Sequence, residues 1–493
     1  MLTKSAFLKY LQCTKALWLY KNRRDLLPEV DENKQAIFDA GYEVESYAYE
    51  LFPGGVSALE DNDNFWEPVE RTKSLINEKR EIIYQASFSA ENLFCRTDII
   101  KHDAGNDCWD IIEVKSSTQP HDIHYKDLSF QRICLERSGV KVGRVFLVYV
   151  NNQYVKNGGI DPEKLLVKKD ITNEVENIKE DTKLEIKDAL KVVTLPNEPE
   201  VKILRQCHQP YDCDFIDYCF KDTPEDSIYS IAGALGSKKL DKLLGEGILK
   251  VSDIPPEMLT TKKLERHHHV IKHNTVHIEK ENIKEELEKI EYPIYYLDYE
   301  TYSSAVPIFD GYRPYQRIVF QYSLHIQREP GGELEHHYFL AKDFKDPTKD
   351  LSESLRKVVG KKGSFVAWNK AFEEGCNFEM GRRYPEFESF YEDINERMVD
   401  LMEIFKKGYY VHKDFHGSAS LKKVLPAVVP ELSYQDLGIQ EGMTASNNWG
   451  RMIKESMLGE EKDKLYKDLL DYCELDTLAM VRILEKLEHK VKY

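Results

Sequence analysis

The stretch PIYYLDYETY, residues 293–302, sets two carboxylates, Asp298 and Glu300, two residues apart in an apolar, aromatic run. A run of this kind predicts a buried strand, on which alternate side chains share a face. Two like charges so close resist joint ionisation unless a cation lies between them. A divalent metal ion meets that constraint, and further carboxylates should then arrive from elsewhere in the chain. FVAWNKAFEEG supplies Asn369 and Glu373, with Glu374 as a neighbouring substitute, and LLDYCELDTLAM supplies Tyr472 and Asp476. Each pair is four apart and falls on one helical face. Asp400, in MVDLMEIF, reads instead as the capped start of a helix.

A second constellation lies in RTDII and IIEVKSS, which read as adjacent strands carrying Asp98, Glu113 and Lys115. Glu113 and Lys115 share a face, and their flanks, Ile111, Ile112 and Val114, predict a central, buried strand. Charges in such a place are costly to desolvate unless they act together. Phosphodiester hydrolysis suits them: Asp98 and Glu113 as ligands of a divalent cation, Lys115 to position the attacking water and offset phosphate charge. The plain alternative is a buried ion pair on a strand.

A third group is thiolate-based. Cys207, Cys213 and Cys219 lie at C-x5-C-x5-C spacing in CHQPYDCDFIDYC, and Cys13 lies 194 residues upstream (207 − 13). Clustered thiolates shielded by aromatics and proline suit an iron–sulfur cluster. Zinc at the same thiolates and buried, unligated thiols are the alternatives. The other cysteines, Cys95, Cys108, Cys134, Cys376 and Cys473, show no ligand spacing and read as core residues.

These groups need an α/β frame. The chain has 493 residues, 41% hydrophobic and 31% charged, with a net charge of −17. That balance argues against a nonspecific nucleic-acid coat but leaves room for an enzyme with a local groove. No run approaches the ~18 apolar residues of a membrane span, and lysines interrupt the N-terminal stretch where a signal peptide would be apolar. The reading is a cytoplasmic protein with no membrane partner. Residues 1–52 read as helical; EIIYQASF, LFCRTDIIK, CWDIIEVK and VGRVFLVYV read as strands, with DIHYKDLSFQRICLERSG as a helix before the last. Residues 221–290 read as a polar helical linker, with a candidate helix-hairpin-helix turn at Gly245 and Gly247, and RHHHVIKH as a solvated surface. A second α/β domain opens near Tyr292 and closes in a long helix. Within it, FKKGYYVHKDFHGSASLKKVL (405–425) combines five lysines with Phe405, Tyr409, Tyr410 and Phe415. Those are the parts of a single-strand-binding surface, or of an ordinary solvated face.

Taken together, the motifs resemble a little-characterised bacterial family that joins an iron–sulfur RecB-like PD-(D/E)XK nuclease to a DEDD-type, DnaQ-like exonuclease of ribonuclease-H fold. The phrases EVKSST, CHQPYDC, LDYET and GSASLKKVLP carry the likeness. It implies a restriction-endonuclease-like domain at 1–220, a helical linker at 221–290 and the exonuclease domain at 291–493. In the first domain it adds Gln131 on the helix after the strand of Glu113 and Lys115, and Glu45 as a completing acid. Leu135 stands where the helix motif has tyrosine, and Thr97 where the name-giving proline would be. It implies a cluster of [4Fe–4S] type on Cys13, Cys207, Cys213 and Cys219. In the second domain it implies two Mg2+ or Mn2+ ions held by Asp298, Glu300, Glu373 and Asp476, with Tyr472 orienting the attacking water. Glu373 replaces the commoner aspartate. The implied activity is a deoxyribonuclease acting on single-stranded or end-containing DNA in repair or antiviral defence, with a helicase or defence-system partner. The alternatives are an RNA exonuclease, or a nucleic-acid-binding scaffold with one or both sites inactive.

Overall fold

Apolar runs bounded by turn residues become strands at the positions the sequence predicts, in a mixed α/β protein. The computed structural model describes residues 1–454 and 459–492. The chain forms two units, Met1–Asp222 with Ser304–Gln316, and Thr223–Ser303 with Arg317–Tyr493.

The first unit is built on a seven-stranded sheet. Its strands are β1 (Leu2–Thr3), β2 (Val56–Ser57), β3 (Ile82–Ala90), β4 (Leu93–Asp103), β5 (Cys108–Lys115), β6 (Val142–Val150) and β7 (Leu166–Asp170). The order is β2-β3-β4-β5-β6-β7, with β1 beside β4. β3 and β4 are joined by Glu91 and Asn92, both at positive φ (48° and 65°), the backbone twist a two-residue hairpin demands. β5 is buried at every residue but Lys115. It runs antiparallel to β4 and parallel to β6, and a parallel neighbour needs a crossover helix.

Four helices matter for the site: α1 (Lys4–Gln12), α2 (Thr14–Asn22), α3 (Glu32–Leu51) and the crossover α4 (Asp122–Arg137). The Thr3 side chain caps α1 by accepting the Ala6 N–H at 3.2 Å. Cys13, in extended backbone, separates α1 from α2. Phe7 of α1 stacks on Phe130 of α4, ring centroids 5.0 Å apart, over one face of the sheet. Val44 and Ala48 of α3 cover the other face, together with Ala305 and Val306. The 304–316 segment is tied into this unit by Lys156 N–H to Tyr312 O (3.0 Å), Gly311 N–H to Lys156 O (2.8 Å) and the Tyr315 hydroxyl to Ser116 O (2.5 Å).

The second unit carries a two-stranded sheet of β8 (His277–Ile278) and β14 (Tyr410–Val411), and a five-stranded one. The latter contains β9 (Ile294–Tyr302), β10 (Ile318–Gln327), β11 (Leu334–Leu340), β12 (Ser364–Ala367) and β13 (Met398–Asp400), in the order β11-β10-β9-β12-β13. β9 and β10 pair antiparallel, β9 and β12 parallel. Its helices include α5 (Ser237–Gly245), α6 (Lys262–His273), α7 (Lys370–Arg383), α8 (Leu421–Val428), α9 (Gly442–Lys454) and α10 (Glu460–Lys492). α10 buries Leu469, Tyr472, Cys473, Asp476, Thr477, Met480, Ile483, Leu484 and Leu487, a helical stripe against the sheet. The Gln321 amide of β10 donates to Leu469 O at 2.8 Å and fixes the helix along the strand.

Residues 223–290 belong to this unit and have a small core of Ile228, Leu240, Leu243, Val251 and Leu264. Two short 3-10 turns, Val251–Asp253 and Pro256–Met258, separate α5 from α6, so Gly245 and Gly247 do not form a tight two-helix hairpin. The reading of RHHHVIKH as solvated also needs correction at one residue. His267 is 4% exposed, on the α6 face with Leu264 and Val270, while its neighbour His269 is exposed.

Gly363, at φ +90°, precedes β12 where a Cβ would lie 1.9 Å from the Pro293 carbonyl oxygen. Ser364 N–H bonds that same carbonyl at 3.2 Å, so the backbones cannot part without losing the start of the β9–β12 pairing. Gly363→Ala is expected to destabilise the protein by more than about 1 kcal/mol, read as a lower urea midpoint with unchanged slope.

Candidate functional site

In the second unit, β9, α7 and α10 bring four carboxylates together. Asp298 Oδ2 accepts from Cys473 Sγ at 3.4 Å, and ligand atoms of Asp298, Glu300 and Cys473 lie within 4.8 Å of one another. Asp476, one turn beyond Tyr472, accepts from the buried Tyr434 hydroxyl through Oδ1. Glu373 sits in the first turn of α7, 2% exposed, and its Oε2 has no hydrogen-bond partner. Gly442, at the start of α9, faces this group: a Cβ there would meet both Glu300 Oε2 and the Tyr472 hydroxyl at 3.8 Å. Lys422 of α8 reaches over the Tyr472 and Tyr434 rings, 5.5 and 5.9 Å from their centroids.

The electrostatics show how much the acids oppose one another. Burial and the neighbouring Asp476 hold the Asp298 carboxyl far above the usual carboxylate range. Burial, Asp298 and Asp476 do the same to Glu300, against the pull of Lys422. Burial and Asp298 raise Glu373. Asp476 is pushed up to about 6 by burial, restrained by Tyr434, Lys422 and Tyr472. Four acids opposed only by Lys422 and, at Glu373, by Arg317 make a site that favours a cation.

In the first unit two of the acids, Glu113 and Asp127, are matched by lysines. The β4–β5 register, Ile99 opposite Ile112, continues one step to set Asp98 opposite Glu113. Asp98 Oδ2 accepts the Val114 N–H at 2.7 Å. Glu113 Oε1 accepts from Lys4 (2.7 Å) and Lys115 (2.6 Å), and its Oε2 from Gln131 (2.8 Å). Asp127, one turn before Gln131 on α4, accepts from Lys115 and Gln131, each at 2.9 Å. Glu45 of α3 accepts from Tyr49 and Gln85 and adds its charge to the field on Asp98. Burial and Glu113 push Asp98 up to about 8, despite Lys4 and Lys115. Burial alone would lower Lys4, but Asp127 and Glu113 outweigh it and keep the ammonium charged; the same acids do so for Lys115.

The four predicted cysteines also gather. Cys213 N–H donates to Cys207 O at 2.8 Å. Cys13 and Cys213 pack with Trp18 and Tyr218 around Ala16, Leu19 and Phe215. Burial raises the thiols of Cys207, Cys213 and Cys219, and each feels Cys13. Lys15 opposes the rise at Cys219. The loop is tied to α1 by Gln12, which donates to Gln206 O (3.0 Å) and Tyr211 O (2.7 Å), and by the Lys9–Asp214 ion pair.

Other expected residues fall outside these groups. Asn369 is not on the α7 face with Glu373; it precedes the helix in left-handed backbone at φ +71°. Asp400 Oδ1 accepts the N–H groups of Asn369 (3.1 Å) and Met402 (3.0 Å), a backbone clamp. In the 405–425 stretch, Phe405, Tyr410 and Phe415 are buried against one another and cannot stack on bases. Lys406 and Lys407 pair with Glu403 and Glu286. Sequence reasoning missed Lys4, Asp127, Tyr434 and Gly442, whereas Lys422 is one of the five lysines singled out in the 405–425 stretch. The four-residue step from Asp127 to Gln131 was the one available signal.

Residues 295–420 match the family described as a domain of unknown function (DUF2779). That stretch holds Asp298, Glu300 and Glu373 and stops before Tyr434 and α10. An uncharacterized protein of Mycoplasma pneumoniae is 29% identical over 207 residues, 38% of this chain and 31% of the relative. An uncharacterized protein of Mycoplasma genitalium is 26% identical over 218 residues, 40% of this chain and 32% of the relative. The chain thus spans about a third of the length of these curated relatives.

The proton on Asp98 sets a pH dependence. An unfolded aspartate ionises near 3.8, whereas the folded one holds its proton to about 8. Between those values the folded state binds more protons, so stability of the metal-free protein falls as pH rises. Asp98→Asn keeps an oxygen for the Val114 N–H. It is expected to raise the melting temperature of chelator-treated protein at pH 8 and to flatten its fall between pH 5 and 8, each unit of removed shift being worth about 1.4 kcal/mol. A wild-type melting temperature that climbs over that range would contradict this.

Proposed function

We propose that this chain is a metal-dependent nuclease with two phosphodiesterase sites, acting on DNA with single-stranded or free ends. The convergence of Asp298, Glu300, Glu373 and Asp476 from three separate segments into one buried acidic pocket carries this reading. A five-stranded mixed sheet crossed by the helix of Tyr472 and Asp476 is the frame a ribonuclease-H-like exonuclease would need. The first unit supports a PD-(D/E)XK reading through Asp98 opposite Glu113, with Lys115 and Gln131 on the same carboxylate.

In the second unit the four acids would hold two divalent cations. Such ions, when bound, supply charge for the entering and leaving oxygens and an acidified water. The protein positions the rest. The unpartnered Oε2 of Glu373 is free to ligate. The Tyr472 hydroxyl, beside the bare backbone of Gly442, has room to orient a water. Lys422 offers the phosphate a cation at the rim. In the first unit Asp98, Glu113 and Glu45 would hold the cation. Gln131 and Asp127 fix the directions of Glu113 and Lys115, leaving the Lys115 ammonium to meet phosphate charge.

The gathered cysteines fit an iron–sulfur cluster of the [4Fe–4S] type. Four thiols from two remote segments, a nearby lysine and aromatic shielding suit it, and a clip between residues so far apart closes a long loop. Repair or defence against foreign DNA, with a helicase or defence-system partner, is the setting this chemistry suits.

End-labelled DNA and RNA oligonucleotides with Mg2+ or Mn2+ test the activity. Lys115→Ala and Asp298→Ala are each expected to lower the rate at their own site by roughly 10²-fold or more, and together to abolish cleavage. Cleavage of RNA alone would reassign the substrate, and no cleavage of either by the wild type would overturn the reading. Anaerobically purified protein is expected to be brown and to contain iron, and Cys213→Ser to lose both; zinc in the wild type instead would refute the cluster.

A further inference from the structure

Beside the acidic pocket, and sharing none of its residues, lies a second group of ligand-type side chains: His325 on β10, His336 on β11 and Glu474 on α10. One ligand atom from each falls within 4.8 Å of the others. His325 is 4% exposed, and Thr477 Oγ1 binds its Nδ1 at 2.8 Å, leaving Nε2 for a ligand. Ser323 Oγ binds His336 Nε2 at 3.0 Å, leaving Nδ1, which lies 3.7 Å from Glu474 Oε1. Two ligands of one tetrahedral zinc, at about 2.0–2.1 Å from the ion, stand at nearly that separation. Ser323 and Thr477 bond to each other at 2.7 Å, and Thr477 also donates to Glu474 O at 3.0 Å. One hydroxyl thus holds each imidazole by the nitrogen that a metal would not use, the arrangement that fixes tautomer and direction in metal sites.

We propose that His325, His336 and Glu474 form a zinc-type transition-metal site that pins α10 to the β10–β11 edge of the sheet. Two imidazoles and one carboxylate favour zinc over the hard Mg2+ suited to the acidic pocket. The rings lie stacked, with centroids 4.4 Å apart and planes 21° apart, and His336 is the less buried of the two. The side chain of Glu474 is 46% exposed, so the site is reached from solvent and water can take the remaining position.

Metal-stripped full-length protein, titrated with Zn2+ against a chromophoric chelator, tests this independently of any nuclease activity. His336→Ala and Glu474→Gln alter partly exposed side chains and leave the cysteines and the four acids of the pocket in place. Each is expected to bind one equivalent of Zn2+ fewer than wild type and to lose one increment of zinc-dependent thermal stabilisation. Thr477→Val is expected to keep the equivalent at about ten-fold weaker affinity. Equal stoichiometry in the wild type and both ligand variants, with circular dichroism showing all three folded, would overturn the site.

Discussion

Like charge forced into one place is the constraint around which the second unit is arranged. Asp298 and Glu300 stand on a strand whose other residues are nearly all buried, and α10 carries Asp476 against them. Nothing local would choose that arrangement, because each carboxyl raises the proton affinity of the next. It persists because the surrounding contacts fix its members: Gln321 sets α10 along β10, Tyr434 holds Asp476, and Glu373 is fixed in the first turn of α7. Residues so held cannot relax away from one another, so each carboxyl keeps the opposition of its neighbours.

The first unit meets a related problem differently. Glu113 and Asp127 are nearly fully buried, yet two lysines and a glutamine satisfy them. The discord is confined to Asp98, which faces Glu113 across the strand pair. Lys4 is the unexpected member. It begins α1, and the same helix ends at Cys13, so the charge network and the thiol group are the two ends of one short element.

The strands were legible because their apolar runs were long and cleanly bounded: β5 and β10 are buried almost throughout, and both read as continuous runs. The pairs at four-residue spacing were legible where both members lie within a helix, as Tyr472 and Asp476 do. The same rule failed for Asn369, because the helix starts one residue later and periodicity does not mark a boundary. It failed differently in the 405–425 stretch. Lysines and aromatics interleave there as in a nucleic-acid surface, but Phe405, Tyr410 and Phe415 turn inward as a small aromatic core, which only tertiary packing decides. Tyr434 had no local signal, since it reaches Asp476 from an irregular segment. Lys4 is 109 residues from Glu113, and no spacing rule spans that distance.

The segment 304–316 leaves the sheet of the second unit after β9, completes the first and returns at β10. A ribosome that has made residues 1–222 has therefore not yet made all of the first unit. Until the later segment emerges, the sheet face under Ala305 and Val306 stays open to water, and Lys156 waits for Tyr312 and Gly311. Asp222 is thus a boundary in space but not a place to cut: a fragment ended there would carry an uncovered apolar patch, and separate expression of the first unit calls for the distant loop to be grafted back.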